Sequence, residues 1–372
     1  MDVRFRMRNM VWILFSSIAA FLLTGSVWLY RTYGVLSLAM SNESFRAGLR
    51  NKRTLFVRYV IFPTFIVLAA SLLIHKILKD SVKRMMAYFM GGMTVVAVCV
   101  SAVVLDVGSY LGRQYRMSQE QWYDTDNLVV HALGGIDEVH YTNSKEALEN
   151  SYEKGNRLFE CDMIMTADGK LAACHDWEFW NRKVDLEGPG DGERGEIYVP
   201  TLDDFMNRKF LGKYTPLSGT DIMLFLKEHP DAYVITDTKY VEPDEIKKEF
   251  QELVKEAQES GCEPILDRFV VQLYHGYMYG IVQDIYPFPN CIFTLYAEGY
   301  KGEEDKMKEY AEVCVLYNVD VITMNAEYYH DELLDICNQH GIRLFVHTVN
   351  SQEEIAVFHE KGIGVYTDNV ER

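Results

Sequence analysis

Residues 157–163 read RLFECDM, an apolar segment that contains two acids. The segment indicates a strand, and side chains alternate between the two faces of a strand. Glu160 and Asp162 therefore share one face, and Cys161 points away from them. Two carboxylates on one face repel each other, and a divalent cation with oxygen ligands offsets that repulsion. The segment thus predicts a strand with a cation site, although Glu-x-Asp pairs also occur on solvated sheet edges.

Short apolar runs alternate with amphipathic stretches from about residue 128 onwards. We predict eight strands, at Leu128–Ala132, Arg157–Met163, Ala232–Asp237, Phe269–Tyr274, Cys291–Leu295, Val319–Met324, Leu344–Val349 and Val365–Asp368. Predicted helices lie between most of them, at Ser144–Lys154, Pro243–Ser260, Lys301–Tyr317, His330–His340 and Ser351–Lys361. Strands that alternate with helices indicate a parallel sheet, and eight such units indicate an α/β fold of the TIM (β/α)8 barrel type.

The active site of a TIM barrel forms at the carboxyl ends of its strands. Six polar residues fall at or just beyond predicted strand ends, namely His131, Glu160, Asp162, Asp237, Lys239 and His347. A further histidine follows the second strand in the dipeptide His175-Asp176. Because the barrel would bring these distant positions together, we expect one active site at this end of the fold.

The chain has 372 residues, which is long enough for two domains, and its net charge of −17 is unevenly distributed. Residues 1–116 contain 15 Lys and Arg against 4 Asp and Glu, a balance of +11. Residues 117–372 contain 22 against 50, a balance of −28. A domain this acidic argues against nucleic acid as its partner.

Three stretches of the basic N-terminal third lack charged side chains and approach or reach the length of a membrane-spanning helix. They are residues 10–30, 59–75 and 85–105. The alternative for the first stretch is a cleaved signal peptide. However, no small-residue cleavage site follows it, and two further stretches come after it. We therefore expect an all-α transmembrane region at 1–116, followed by the barrel at 117–372.

Two features of the sequence disagree on the orientation of the chain in the membrane. Arg4, Arg6 and Arg8 favour an N-terminus inside the cell. Three spans then place the large domain outside, so we expect a multi-pass protein of the cell membrane with an extracellular catalytic domain. The cysteines favour the opposite side. Six of the seven lie in the large domain without a regular disulfide framework, as is typical of reduced proteins.

Several short motifs occur in an order that resembles the glycerophosphodiester phosphodiesterase family. In chain order they are His131, Glu160 with Asp162, the turn Asp168-Gly169, His175-Asp176, VPTLDD at 199–204, VITDTK at 234–239, HTVN at 347–350 and YTDN at 366–369. The resemblance extends over roughly residues 128–370. It implies a TIM barrel with phosphodiesterase activity.

The resemblance also implies roles for five residues. Glu160, Asp162 and Asp237 would hold one divalent cation, Ca²⁺ or Mg²⁺. His131 and His175 would exchange protons with the phosphodiester and its leaving alcohol, since the usual histidine pKa suits that task.

Three further positions concern substrate binding. By resemblance, Lys239 would bind the anionic phosphate as a point charge. His347 stands where the family has Trp, which indicates a more polar pocket for the alcohol. Ala132 stands where the family has Arg, and the missing guanidinium removes a bidentate phosphate contact.

The leading interpretation is a metal-dependent phosphodiesterase that acts on a glycerophosphodiester or a related phospholipid headgroup. A phosphatidylinositol-type phospholipase C or a sphingomyelinase D-like lyase would use the same residues and release a cyclic phosphate. A third alternative is a catalytically silent barrel that binds a polyol phosphate.

Overall fold

Nine strands form one sheet in the computed structural model, which describes Gly92 and residues 121–184 and 197–371. The strands are β1 (Leu128–Val130), β2 (Leu158–Met165), β3 (Leu171–Ala173), β4 (Tyr233–Thr238), β5 (Phe269–Leu273), β6 (Asn290–Thr294), β7 (Val321–Asn325), β8 (Arg343–His347) and β9 (Gly364–Thr367). β1 pairs in parallel with both β2 and β9, so the sheet closes into a barrel of eight parallel strands. β3 instead pairs antiparallel with β2, beside the barrel.

Helices connect the strands, and strand and helix alternate strictly from β4 onwards. The described helices are α1 (Trp122–Thr125), α2 (Lys145–Glu153), α3 (Trp177–Lys183), α4 (Leu202–Met206), α5 (Gly219–Glu228), α6 (Pro243–Glu259), α7 (Gly276–Ile285), α8 (Glu304–Tyr317), α9 (Asp331–Gln339) and α10 (Gln352–Glu360). The predicted barrel is confirmed, and all eight predicted strands and five predicted helices are present with slightly shifted bounds. The sequence pattern did not predict β3, nor the helices α1, α3, α4, α5 and α7.

The first strand is two residues shorter than predicted, and this places His131 in the turn beyond it. Residues His131–Leu133 form a 3-10 turn, in which Ala132 has a positive φ of 49°. Gly134 follows with φ of 103°, and a Cβ there would lie 2.2 Å from Ser151 Oγ. The turn therefore requires glycine at this position. It bends the chain at the strand end, where an active-site residue of a barrel is expected.

Side chains inside the barrel form an apolar layer below a polar one. The apolar layer contains Val129, Leu158, Ile235, Val270, Ile292, Val321, Phe345 and Tyr366, all buried. Because strand side chains alternate, positions two residues further along face the same interior. Those positions carry Glu160, Asp237, Gln272, Thr294, Thr323 and His347. The barrel is thus packed by apolar contacts at one end and is polar at its carboxyl end.

A second, smaller apolar core lies beside β2 and supports the loop that carries His175. It is built from β3, α3, α4 and the chain around them, with Trp177, Trp180, Phe205, Phe210 and Tyr214 as its buried aromatic members. These rings meet edge-on or tilted at centroid distances near 5.8 Å, which is a favourable arrangement for aromatic side chains. This core fixes the start of α3, immediately after His175.

The predicted transmembrane stretches 10–30, 59–75 and 85–105 lie outside the described residues, apart from Gly92. No helix within the described part of the chain is both long and apolar enough to cross a membrane. The six cysteines at positions 161, 174, 262, 291, 314 and 337 are all buried, and none forms a disulfide within the described part of the chain. The sequence predicts reduced core residues at four of these positions, 161, 174, 291 and 314.

Candidate active site

Three carboxylates meet at the polar end of the barrel. Glu160, Asp162 and Asp237 each offer an oxygen, and these oxygens lie within 4.8 Å of one another. The side chains come from β2 and β4, and all three residues are buried. The sequence predicted this convergence, because alternation puts Glu160 and Asp162 on one face and the barrel adds Asp237 from the next strand.

The carboxylates are not fully satisfied by other side chains. Glu160 Oε1 is buried and has no hydrogen-bond partner among the described residues. Asp162 Oδ1 lies 2.5 Å from Lys239 Nζ, so this oxygen is engaged in an ion pair. Lys239 Nζ also contacts Asp237 Oδ2. Three acids with free oxygen lone pairs form a donor set that suits a hard divalent cation such as Ca²⁺ or Mg²⁺.

Burial and mutual repulsion control the protonation of this cluster. Burial, together with the charge of Asp162, raises the pKa of Glu160 to about 8. Burial also raises the pKa of Asp237 above its usual value. Burial acts in the same direction on Asp162, but the Lys239 ammonium outweighs it and the pKa of Asp162 lies below its usual value. Without a cation, burial and repulsion therefore favour the protonated form of Glu160 and Asp237.

Neighbouring amide and phenol groups fix two of the carboxylates. Asn143 Nδ2 donates to Asp162 Oδ2 at 2.7 Å, and Asn143 Oδ1 accepts from the backbone N–H of Asp162 at 3.2 Å. Gln272 Nε2 donates to Asp237 Oδ1 at 2.8 Å, and the Tyr274 hydroxyl donates to the same oxygen. These contacts orient the acids before any ligand binds, as outer-shell groups do in metal sites.

His131 is held between two acids. Its Nδ1 lies 2.8 Å from Asp368 Oδ1, and its Nε2 lies 3.7 Å from Glu160 Oε2. Asp368 is fixed in turn by Asn350 Nδ2, which donates to Oδ2 at 2.8 Å. Burial alone lowers the pKa of His131, but Glu160 and the hydrogen bond to Asp368 outweigh it and raise that pKa to about 9.

His175 is oriented by its sequence neighbour. Its Nδ1 lies 2.6 Å from Asp176 Oδ2, and Asp176 Oδ1 accepts the backbone N–H of Phe179 at 2.6 Å. Asp176 therefore caps α3 and holds the imidazole at the same time. The ring of His175 is 41% exposed, and its charge contributes to the electrostatic field at Asp162.

The two histidines share one aromatic neighbour. The ring of Tyr141 lies 4.9 Å from that of His131 and 5.6 Å from that of His175, measured between centroids. Both contacts are edge-to-face, at interplanar angles of 84° and 89°. The structure thus brings together both histidines, the three acids and Lys239 of the predicted site.

His347 lies at the end of β8, beside this group and without a contact to the acids. Its ring is 6.2 Å from the rings of Tyr296 and Tyr366, and its Nε2 is buried with no hydrogen-bond partner among the described residues. Burial, and then the charge of His131, lower the pKa of His347 to about 4. His347 is therefore a neutral side chain of the site wall, and its role in substrate binding stays a prediction.

Sequence reasoning did not assign a role to the residues that orient the site. Asp176 and Asp368 belonged to recognised motifs but were given no function. Gln272 and Tyr274 could have been found, because both continue the inward face of β5 from Val270. Strand or helix periodicity would not reveal the contacts of Tyr141, because they depend on an irregular loop.

A parallel barrel with buried acids and oriented histidines at its carboxyl end has the arrangement of a metal-dependent hydrolase. Residues 135–372 match the sequence model of the Glycerophosphoryl diester phosphodiesterase family, which is more than half of the chain. The chain therefore belongs to this family of phosphoric diester hydrolases. The match begins just after the His131 turn. No curated protein sequence matches the chain.

Solved structures support the same fold. A phosphodiesterase from Oleispira antarctica, solved in complex with the product sn-glycerol-3-phosphate, has a TM-score of 0.52 at 12% identity, and the match covers 67% of this chain and 96% of that one. A candidate glycerophosphodiester phosphodiesterase from Galdieria sulphuraria has a TM-score of 0.52 at 14% identity, with 65% and 93% covered. A candidate enzyme from Silicibacter pomeroyi has a TM-score of 0.51 at 16% identity, with 65% and 89% covered. At these identities the likeness concerns the fold.

Proposed function

We propose that this protein is a metal-dependent phosphodiesterase that hydrolyses a glycerophosphodiester or a related phospholipid-headgroup phosphodiester. One observation carries the proposal. His131 and His175, each held at Nδ1 by a carboxylate, both contact the ring of Tyr141, and His131 also lies 3.7 Å from Glu160 of the buried triad of acids. The glycerol-3-phosphate bound by the Oleispira antarctica phosphodiesterase supports this class of substrate.

Glu160, Asp162 and Asp237 would hold a single Ca²⁺ or Mg²⁺ ion. When bound, such an ion acts as a Lewis acid on a phosphoryl oxygen. The donor set supports this assignment, because all three side chains are carboxylates and Glu160 Oε1 is buried without a hydrogen bond to a described residue.

The two histidines would transfer protons at opposite ends of the reaction. Nδ1 of each ring is held by an acid, so Nε2 would be the atom that faces the substrate. Nε2 of His131 also lies 3.7 Å from Glu160 Oε2, an acid that the cation would engage. One imidazole would protonate the leaving alcohol, and the other would accept a proton from the attacking hydroxyl. Attack by a neighbouring substrate hydroxyl would give a cyclic phosphate, which water then opens.

Lys239 would bind the phosphate. Its ammonium lies within the acid cluster, where burial lowers its pKa but the charges of Asp162 and Asp237 outweigh burial and raise it. It therefore stays charged throughout the accessible pH range. Once a divalent cation neutralises the acids, the ammonium is free to contact a phosphoryl oxygen.

A lyase that stops at the cyclic phosphate would use the same groups, so the chemistry of the product separates the two enzymes. Phosphorus NMR of a reaction with glycerophosphocholine tests this point. Accumulation of a cyclic phosphate would support the phospholipase C-type or sphingomyelinase D-like alternative. A silent polyol-phosphate-binding barrel is disfavoured, because it would not need both histidines to be oriented by acids.

The decisive experiment measures turnover of bis-p-nitrophenyl phosphate and glycerophosphocholine by the purified full-length chain. We expect activity with added Ca²⁺ or Mg²⁺ and loss of activity after EDTA treatment. A variant with both His131→Ala and His175→Ala is the matched control for contaminating activity. Equal rates for this variant and the wild type, or no turnover of either substrate with any divalent cation, would overturn the proposal.

We also propose that residues 1–116 anchor the enzyme in the cell membrane through three helices, with the catalytic domain outside. The support is the sequence alone, namely the uncharged stretches at 10–30, 59–75 and 85–105. Alkaline carbonate extraction of membranes tests the anchor, and protease treatment of intact cells tests the orientation. Release of the full chain by carbonate would contradict the anchor.

A further inference from the structure

The loop that precedes α2 has an unusual backbone. Tyr141 has φ of 61° and Asn143 has φ of 45°, in the left-handed region that side chains other than glycine rarely adopt. Asn143 is held there by its two hydrogen bonds to Asp162. Ser144 then caps α2, because its hydroxyl accepts the backbone N–H of Ala147. The strained loop is therefore fixed on both sides of Asn143, and it holds Tyr141 at the site. Strain of this kind is concentrated at functional sites.

Tyr141 contacts both of the histidines that would exchange protons with the substrate. Its ring stands perpendicular to both imidazoles, and its centroid lies 4.9 Å from that of His131 and 5.6 Å from that of His175. A phosphodiester that exchanges protons with both imidazoles must lie within reach of each. Because Tyr141 contacts both rings, such a phosphate would also lie near Tyr141.

The hydroxyl of Tyr141 is suited to donate a hydrogen bond. Burial, followed by the charges of Asp368 and Asp162, raises its pKa above the usual value, so the phenol stays protonated. Burial and charges account for this shift, and no hydrogen bond from another described residue contributes to it. The phenol can therefore donate a hydrogen bond. A phosphate bound beside these acids would also contact the cation and Lys239, whose positive charges offset the repulsion.

We propose that Tyr141 is a phosphate-binding residue of this enzyme, whose hydroxyl donates to a non-bridging phosphoryl oxygen of the diester while its ring keeps the two imidazoles apart. This inference rests on the proposed phosphodiesterase function and adds a substrate contact to it. The ligand would be a phosphodiester, which carries a single negative charge on its phosphate and an alcohol as one of its ester groups.

Tyr141→Phe tests the hydroxyl, because it keeps the ring and removes only the donor. We expect kcat/KM for glycerophosphocholine to fall about 10- to 100-fold, as for loss of a hydrogen bond to a charged group. Affinity for sn-glycerol 3-phosphate, measured by calorimetry with Ca²⁺ present, should fall at least about fivefold by the same reasoning. The melting temperature should not change, which separates a substrate contact from a structural role.

Tyr152→Phe is the matched control. Its hydroxyl donates to Asp231 Oδ1 at 2.9 Å on the protein surface, so removal of this donor should leave kinetics and ligand affinity unchanged. Tyr141→Leu tests the ring itself. We expect it to change the pH profile of kcat/KM, because the two imidazoles would lose the aromatic ring that separates them.

The outcomes separate the two proposals. If the wild type turns over diesters and binds glycerol 3-phosphate, and Tyr141→Phe does both equally well, the role of Tyr141 is overturned and the phosphodiesterase function stands. If the wild type neither turns over diesters nor binds glycerol 3-phosphate, both proposals are overturned together.

Discussion

Asp162 and Asp237 lie directly opposite each other on the neighbouring parallel strands β2 and β4. Like charges in such cross-strand pairs destabilise a sheet, more so when both groups are buried. Lys239 compensates for this pair, since its Nζ lies 2.5 Å from Asp162 Oδ1 and also contacts Asp237. The ammonium therefore stands close to the acids that a divalent cation would bind. A cation and Lys239 compete for the same oxygens.

This competition leads to a prediction for Lys239→Met. Loss of the ammonium should strengthen Ca²⁺ binding about tenfold or more, because the cation no longer has to displace a positive charge. Phosphodiesterase activity should fall, because the phosphate loses a charged partner. Isothermal titration with Ca²⁺ measures the first effect and steady-state kinetics the second.

Lys255→Met is the control for Lys239→Met, because Lys255 pairs with Glu252 on the exposed side of α6. It should change neither quantity. Unchanged or weaker Ca²⁺ affinity in Lys239→Met would show that the ammonium does not compete with the cation.

A second prediction concerns Glu160→Gln. A ligand that binds only the folded state stabilises it by about 2.7 kcal/mol at a concentration of one hundred times Kd. Added Ca²⁺ should therefore raise the melting temperature of the wild type and have little effect on the variant. In EDTA the variant should be at least as stable as the wild type, because it lacks one of three buried acids. An equal Ca²⁺ response in both proteins would remove Glu160 from the cation site.

The two histidines should have separate roles in proton transfer. His131→Ala and His175→Ala should each lower kcat by about 10²-fold or more, within the usual range for general acid–base groups. The double variant should lose less than the product of the single effects, because groups that act as a unit are not additive. Steady-state kinetics on glycerophosphocholine, which carries the neighbouring hydroxyl, provides the test. A wild-type rate in either single variant would exclude that histidine from the mechanism.

The barrel and its acids were predictable because both depend on local periodicity. Alternation along β2 predicts that Glu160 and Asp162 share a face, and the strand–helix alternation predicts the barrel that adds Asp237. The missed helix α5 also carried a local signal. Its capping box, in which Ser218 accepts the backbone N–H of Asp221 and Asp221 accepts that of Ser218, is readable as Ser-x-x-Asp.

The groups that orient the site were not predictable in the same way. His131 and Asp368 are 237 positions apart, and they meet because β1 pairs with β9 when the barrel closes. The contacts of Tyr141 depend on positive φ angles in a loop, which no periodicity indicates. Local patterns thus identify the candidate reacting groups and the Asp176 partner of His175, while closure of the barrel determines the partner of His131.

The stability of the barrel should depend on pH through Glu249. This carboxyl is buried on α6 and accepts a hydrogen bond from the Thr238 hydroxyl. Burial outweighs that hydrogen bond and raises the pKa of Glu249 from 4.5 to about 8. The folded chain therefore binds this proton more tightly than the unfolded chain. Stability from this group is complete below pH 4.5 and is lost as the pH rises towards 8.

Glu249→Gln should remove this pH dependence while keeping an acceptor for Thr238. Between pH 5 and pH 8.5, the free energy of unfolding of the wild type should fall relative to that of the variant by a few kcal/mol, at about 1.4 kcal/mol per pKa unit. Urea denaturation at both pH values measures the difference. Glu245→Gln, on the exposed face of the same helix, should follow the wild type. Parallel pH profiles for Glu249→Gln and the wild type would contradict the prediction.

Ala132 provides the last prediction, because its surroundings restrict what can replace it. The residue is fully buried and has φ of 49°, and its backbone N–H donates to Glu160 Oε2 at 2.6 Å. The side chain of an arginine at this position would not fit in the closed space next to His131 and would have to extend out of it. Its guanidinium would enter the acid cluster, where Lys239 already lies between two carboxylates.

We therefore expect Ala132→Arg to lower kcat/KM on the natural substrate and to weaken cation binding, since it adds a second positive charge beside the acids. Ala132→Gly is the matched control. Glycine adopts positive φ without strain, so this variant should keep its activity and be as stable as the wild type or more so. The discriminating measurement is kcat/KM for both variants on a panel of glycerophosphodiesters and intact phospholipids. A uniform gain across the panel for Ala132→Arg would mean that the site lacks a guanidinium and has room for one, in which case the pocket has not been reshaped for another headgroup.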